Sequence, residues 1–171
     1  MDMGNEKYCR VLDRLRHLCS VREYCTSDIR RKAAKLLEAS SIEEESETAE
    51  AVDSVLRSLE KDGYVSDLRY ATAYARDKSS LAGWGKSRIS YMLLAKGISA
   101  ENIDKAMEGI DRDRASERLS KVLRNRFRSL CPSGKPDDGS RYEVRQKLLR
   151  FAMGRGYSYD EASGVIDSLI S

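Results

Sequence analysis

Proline is nearly absent from this sequence. Pro132 and Pro136 are the only two, and both fall in one short stretch. Proline breaks helices from within, so long helices are permitted everywhere else. Histidine occurs once, as His17, and aromatic residues make up only 7%. One histidine cannot complete a His-rich metal site, and the spacings of Cys9, Cys19, Cys25 and Cys131 fit no zinc pattern. No apolar run approaches the roughly 18 residues of a membrane helix. Residues 1–6 lack the basic stretch and apolar stretch of a secretory leader. The expectation is a cytoplasmic protein, off the membrane, with reduced, partly buried cysteines, no metal and no cofactor.

What is present is helical material. Charged residues make up 35% and hydrophobic residues 40% of the 171 positions, with Leu, Ala, Arg, Lys and Glu prominent. Apolar residues recur at spacings of three and four. Tyr8, Val11, Leu12, Leu15, Leu18 and Cys19 make one stripe; Val52, Val55, Leu56 and Leu59 make another. Tyr70, Ala71, Tyr74 and Ala75 follow, then Ile103, Ala106, Met107 and Ile110, then Leu119, Val122, Leu123, Phe127 and Leu130. Each is an amphipathic face that needs a partner. The pattern predicts helices near 6–19, 26–39, 48–62, 67–79, 85–96, 100–109, 112–130, 140–154 and 159–169.

The punctuation repeats. Gly97-Ile98-Ser99 and Gly156-Tyr157-Ser158 share one grammar: a helix-closing glycine, an apolar residue, a serine N-cap. Ile98 and Ile103 can form a hydrophobic staple, and Ser158 with Glu161 a capping box. Gly63-Tyr64-Val65-Ser66 is a third version, with Val65 expected to face Tyr70. An offset of 59 residues aligns Ile89 with Leu148, Met92 with Phe151 and Gly97 with Gly156; an offset of 60 aligns Ile29 with Ile89. An offset of 51 aligns Val52 with Ile103 and Leu56 with Met107, so the first unit carries about nine extra residues. The acidic stretch Glu43-Glu44-Glu45-Ser46-Glu47 lies there and reads as a mobile loop or a helix start. The expected fold is all-α, about nine helices in three tandem three-helix repeats, elongated and curved. The units are placed at 1–62, 63–110 and 111–171, the last interrupted by a Pro/Gly loop at 131–140.

The net charge of +3 conceals an asymmetry. Residues 111–155 carry 13 basic and 6 acidic side chains, whereas residues 156–171 carry no basic and 3 acidic ones. Such a block attracts phosphates or an acidic protein face, or it is a solvated helix face whose Arg stems cover apolar neighbours. Enzyme readings find little support. Gly85-Lys86-Ser87 lacks the glycine a phosphate loop needs at position 80, which is Ser80. His17 lies beside an apolar stripe, and Glu43, Glu44 and Glu45 are neighbours in sequence rather than a pair across a cleft. No catalytic residue is assigned.

One segment carries a more specific signal. In Gly63-Tyr64-Val65-Ser66-Asp67-Leu68-Arg69-Tyr70-Ala71 and the following Tyr74 and Arg76, the chain resembles the RecX family. It departs at Ser66, where an acid is usual, and serine still serves as an N-cap. The match continues through Gly85, Ile89, Leu93, Lys96, Gly97, Ile98 and Ile103. It covers about residues 8–170, is strongest in the middle unit and weakest around Arg22 to Cys25. These motif positions are expected to be mostly structural, with Arg69 and Arg76 pairing with nearby acids.

The resemblance implies a non-enzymatic regulator, mainly an inhibitor, of the recombinase RecA. It implies binding in the groove of the RecA filament on single-stranded DNA, limiting filament growth, strand exchange and the co-protease role. A monomer with weak direct DNA binding fits this reading. The basic side chains Arg118, Lys121, Arg124, Arg126, Arg128, Arg145, Lys147 and Arg150 are the expected electrostatic contacts, although they cannot all face one way. A direct nucleic-acid-binding module and a helical adaptor for another protein are the alternatives.

Overall fold

The structure is a computed structural model that describes residues 3–39, 45–137 and 139–171, with the side chains of all of these but 3–5, 45–47 and 112. Among the described residues there are nine helices and no strand. They are α1 (Met3–Val21), α2 (Thr26–Glu38), α3 (Glu45–Lys61), α4 (Asp67–Ser80), α5 (Lys86–Leu94), α6 (Ala100–Glu108), α7 (Arg112–Leu130), α8 (Arg141–Gly154) and α9 (Tyr159–Ile170). Every helix that periodicity predicts is present. Glu43 and Glu44 of the acidic stretch lie outside the described residues.

The helices pack in threes. Leu15, Ile29, Leu37, Val55 and Leu59 centre one core, Ile89, Leu93 and Ile103 a second, and Leu123, Leu148 and Ile166 a third. The sequence repeat is a repeat of buried positions: Ile29, Ile89 and Leu148 are each 0% exposed. Each sits on the second helix of its trio.

Three turns share a mechanism. Gly63, Gly97 and Gly156 take φ of +75°, +79° and +88°, a conformation open to glycine at little cost. The chain then folds back. Ile98 N–H donates to Leu93 O at 3.1 Å and Tyr157 N–H to Ala152 O at 3.2 Å. Ser66, Ser99 and Ser158 cap the next helix by accepting from the amides of Arg69, Asn102 and Glu161. Glu161 completes the capping box by accepting from Ser158 N–H at 2.7 Å. Ile98 and Ile103 are both buried in the second core.

The third turn differs from expectation. Tyr64 and Val65 N–H groups both donate to Leu59 O, at 2.8 and 3.3 Å. That pulls the turn back over α3, so Val65 is buried in the first core while Tyr70 packs on the second. Residues 64 and 65 therefore belong, by packing, with the unit before them.

The chain exposes 10936 Å², whereas a compact 19.3 kDa monomer exposes about 8,500 Å². The excess is that of three small cores in series rather than one large one. Cys25 and Cys131 are buried, Cys19 is half-buried and Cys9 is exposed. His17 is exposed on α1.

Candidate nucleic-acid interface

Helix α7 buries Leu119, Leu123 and Phe127 in the third core. At 3.6 residues per turn, positions 114, 121, 124 and 128 fall on the side away from that stripe. Arg114, Lys121, Arg124 and Arg128 are all exposed there. Glu117 is the one acid among them. Arg114 lies 3.5 Å from Asp111; Lys121, Arg124 and Arg128 make no ion pair among the described residues.

The other candidate side chains point elsewhere. Arg118 is half-buried and donates to Ser79 Oγ at 3.1 Å, bridging α7 to α4. Arg126 turns over the Phe151 ring, 5.6 Å from its centroid. On α8, Arg145 donates to both Asp167 oxygens, at 2.8 and 3.3 Å, and to Tyr159 OH at 3.3 Å. Its partners raise its pKa above the ordinary arginine value, the Asp167 hydrogen bond most of all. Arg145 therefore pins α8 to α9. Lys147 pairs with Glu143 one turn away at 2.5 Å, and Arg150 is exposed, its Nε reaching Gln146 O at 3.4 Å. One continuous open stripe survives: Lys121, Arg124 and Arg128.

The motif residues do different work. They build the joints between units. At the first joint, Asp67 Oδ1 accepts from Thr26 N–H at 2.8 Å, and Arg69 reaches Glu23 Oε1 at 2.6 Å and the carbonyls of Gly63 and Tyr64. Lys96 Nζ meets Asp28 Oδ2 at 2.8 Å, and Lys96 O accepts from Ser27 Oγ at 2.6 Å. Cys25, just before α2, is buried in the second unit's core beside Ala71 and Ile89. Tyr70 and Tyr74 stack at 5.9 Å between centroids and pack on that core. Arg76, by contrast, is 75% exposed, with only Asp77 at 3.4 Å.

The second joint uses backbone. Gly85 N–H donates to Arg155 O at 2.8 Å and Ser87 N–H to Gly156 O at 3.2 Å. A methyl on Gly85 would lie 2.3 Å from Gly156 O, and one on Gly156 2.4 Å from Arg88 N. Arg88 Nη1 donates to Gly154 O at 2.9 Å and its guanidinium lies 4.1 Å from the Trp84 ring centroid. Arg155 Nη1 donates to Ala82 O at 2.7 Å. The amides of Gly85 and Ser87 thus serve the joint. Sequence reasoning gave Ser27, Asp28, Glu23 and Arg88 no role at the site. The signal was available: the 60-residue offset sets Cys25 to Asp28 on Gly85 to Arg88.

The ionic joint responds to pH. Burial pushes the Asp28 carboxyl up, but hydrogen bonds from Lys96, Cys25 and Arg31 together outweigh it and hold it below the ordinary 3.8. A depressed carboxylate contributes stability above its unfolded pKa and loses it as pH falls through the folded one. Burial lowers Lys96, yet Asp28 and Tyr70 bring it above 10.5. A raised amine contributes fully below its unfolded pKa and loses that as pH rises through the folded one. The first joint is therefore at full strength between about pH 4 and 10.5. Asp28→Asn should destabilise the chain by about 1–2 kcal/mol at pH 7 and by less below pH 3. Equal urea midpoints for the variant and the parent at pH 7 would contradict this.

Among the described residues, no group of three or more His, Cys, Asp or Glu could hold a metal ion, and no helix is long and apolar enough to cross a membrane.

Comparison with known proteins adds an independent line. Residues 66–107 match the family model for the second three-helix domain of RecX, and residues 113–166 the model for its third. The chain is 30% identical over 166 residues to the regulatory protein RecX of Shigella boydii, covering 92% of this chain and 90% of that one. It is 26% identical to RecX of Clostridium tetani over 70% of this chain and 52% of the relative. In structure it is similar to RecX from Lactobacillus salivarius, with a TM-score of 0.74 at 16% identity, covering 96% of this chain and 97% of that one. A second RecX crystal structure also superposes with a TM-score of 0.74, at 22% identity over 94% of this chain and 72% of its own.

Proposed function

Because the chain belongs to the RecX family of regulatory proteins, we propose that it regulates the recombinase RecA, mainly by inhibition, as a monomer in the cytoplasm. It binds in the groove of the RecA filament on single-stranded DNA and limits filament growth, strand exchange and co-protease activity. It acts by binding and not by chemistry.

The observation that carries this reading is the open stripe of Lys121, Arg124 and Arg128 on α7. It is a row of cations with no acid between them, Glu117 standing one turn before Lys121, and it is borne on a chain of units in series. A groove lined by protein and polyanion is a long, acidic surface. Cations along a fixed line meet it at many points, and each phosphate contact releases counterions. Affinity and inhibition then fall as salt rises.

The test is RecA's DNA-dependent ATPase on preformed filaments, with this protein titrated in at two salt concentrations. Inhibition at ratios well below one protein per RecA supports the reading. The paired substitution Arg124→Glu and Arg128→Glu should raise the concentration needed by about tenfold or more, with helicity unchanged. Unaltered inhibition would remove this stripe from the contact surface. Absence of inhibition by the parent protein would end the reading itself. Equal binding to bare single strands with and without RecA would favour the direct nucleic-acid module instead.

A further inference from the structure

Two hollows meet where the second and third units join. One is a crevice of about 220 Å³ between α4, the end of α6 and α7. Three arginines line it: Arg76 from α4, and Arg114 and Arg118 from α7, with the hydroxyls of Thr72 and Ser79 at its wall. Arg118 is aimed by its bond to Ser79 Oγ at 3.1 Å, which leaves the rest of its planar fork free to bond. Arg76 and Arg114 are 75% and 72% exposed; Arg76 Nε donates to Asp77 Oδ1 at 3.4 Å and Arg114 Nε pairs with Asp111 Oδ2 at 3.5 Å, single contacts that leave the outer edge of each guanidinium open to solvent. Asp111 also lines the crevice, but its Oδ1 accepts from the amides of Asp113 and Arg114 as the cap of α7. Three guanidiniums against one engaged carboxylate leave a net positive hollow. Bidentate forks of this kind match the tetrahedral oxygens of a phosphate.

The second hollow is a cavity of about 340 Å³ that shares Ser79 and Ile110 with the first. Trp84, Leu119 and Tyr157 give it an apolar and aromatic lining, and Lys86, Ser116 and Glu161 supply polar groups. Glu161 is held by Ser158 N–H at 2.7 Å, so its free oxygen is fixed in place. The volume lies in the range of small-ligand sites, about 300–1,000 Å³. A phosphate-binding crevice opening beside an aromatic cavity with a few fixed polar groups has the two parts of a nucleotide site.

We propose that this joint holds one nucleotide of a single strand, its phosphate among Arg76, Arg114 and Arg118 and its base in the cavity lined by Trp84 and Tyr157. The inference deepens the reading above and rests on it for the class of partner. It adds a place where the strand is gripped, separate from the open stripe farther along α7. A free nucleotide offers the same chemistry, and the experiment separates the two.

Trp84 is the only tryptophan in the chain, so its fluorescence reports on this cavity alone. The full chain is titrated, without recombinase, with a short oligothymidylate, with thymidine monophosphate and with inorganic phosphate. The expected result is a saturable change in Trp84 emission with the oligomer at much lower concentration than with the mononucleotide. Arg76→Ala with Arg114→Ala should weaken oligomer binding about tenfold or more and reduce the salt slope by about one. Both side chains are exposed, so helicity should be unchanged. Arg124→Ala with Arg128→Ala should weaken binding yet leave the emission change at saturation intact. The mononucleotide acting as strongly as the oligomer would overturn a strand-gripping role in favour of a free-nucleotide site. Oligomer binding with Trp84 emission unmoved, or with full strength in the Arg76 and Arg114 variant, would overturn the site altogether. Filament ATPase inhibition measured on the same samples is independent of this outcome, so failure here and failure of the regulatory reading are told apart.

Discussion

Gly156→Ala is expected to destabilise the protein by about 3–4 kcal/mol, whereas Gly97→Ala, in the corresponding turn one unit earlier, should cost only about 1–2 kcal/mol. Both glycines sit in the left-handed region, at φ +88° and +79°, so both variants bear the same backbone penalty. The surroundings separate them. A methyl on Gly97 meets nothing within 4 Å, while one on Gly156 would stand 2.4 Å from Arg88 N and 2.5 Å from Arg88 Cβ. Those atoms cannot swing aside as a side-chain tip would; α5 itself must move. Gly85→Ala probes the same contact without the backbone penalty, since Gly85 has an ordinary φ of −79°. It should fall between the two. Thermal unfolding followed by circular dichroism distinguishes these cases, because about 3 kcal/mol displaces the midpoint by roughly 6–12 °C for a chain of this length. Equal midpoints for the Gly156 and Gly97 variants would show that the second joint is not closely packed in solution.

Ile89→Ala should have a comparable effect on stability, about 3–4 kcal/mol, through a cavity rather than a clash. Ile89 is 0% exposed on the second helix of the middle trio. Its neighbours in the core include Cys25, which is supplied by the first unit. The hole therefore weakens both the middle unit and its grip on the first. In a chain whose units contact mainly their neighbours, the middle one couples the other two. Unfolding by urea should lose cooperativity in this variant, with a lower slope as well as a lower midpoint. Ile29→Ala and Leu148→Ala, at the equivalent positions, should lower the midpoint with a smaller change in slope. Identical slopes in all three would count against middle-unit coupling.

The helices were legible because each carries an apolar stripe with its own stop signal. Gly97-Ile98-Ser99 announces a turn to any reader of helix caps, and the capping box at Ser158 and Glu161 is a local matter of four residues. The repeat was legible because Ile29, Ile89 and Leu148 must all be large and apolar. The site was less so. Arg145 and Arg124 look alike in sequence, both basic and both on an amphipathic helix. Only the fold brings Asp167 to Arg145 from another helix, and leaves Arg124 with none. The joints were hidden for the same reason. Ser80 excludes Gly85 from a phosphate loop, but nothing in the sequence sets Gly156 against it. Arg69 and Lys96 carry a family signature, but of their partners Glu23 lies in the stretch where that signature is weakest and Asp28 just beyond it. Val65 misled because a staple is a rule about one helix, and here the previous helix took the side chain.

The two joints connect the same parts. In each, the start of one unit's second helix meets the turn before the next unit's third, Ser27 with Lys96 and Ser87 with Gly156. A contact repeated between like parts applies nearly one screw operation twice. The molecule is then a short length of a helical ladder whose pitch is set at its rungs, not along its rails. Any error at a rung is magnified at the far end by the length of the unit beyond it. The first rung is ionic and can yield a little to its surroundings; the second, glycine against glycine, cannot. A chain fitted in this way to a helical track would adjust at its first rung and hold its gauge at its second.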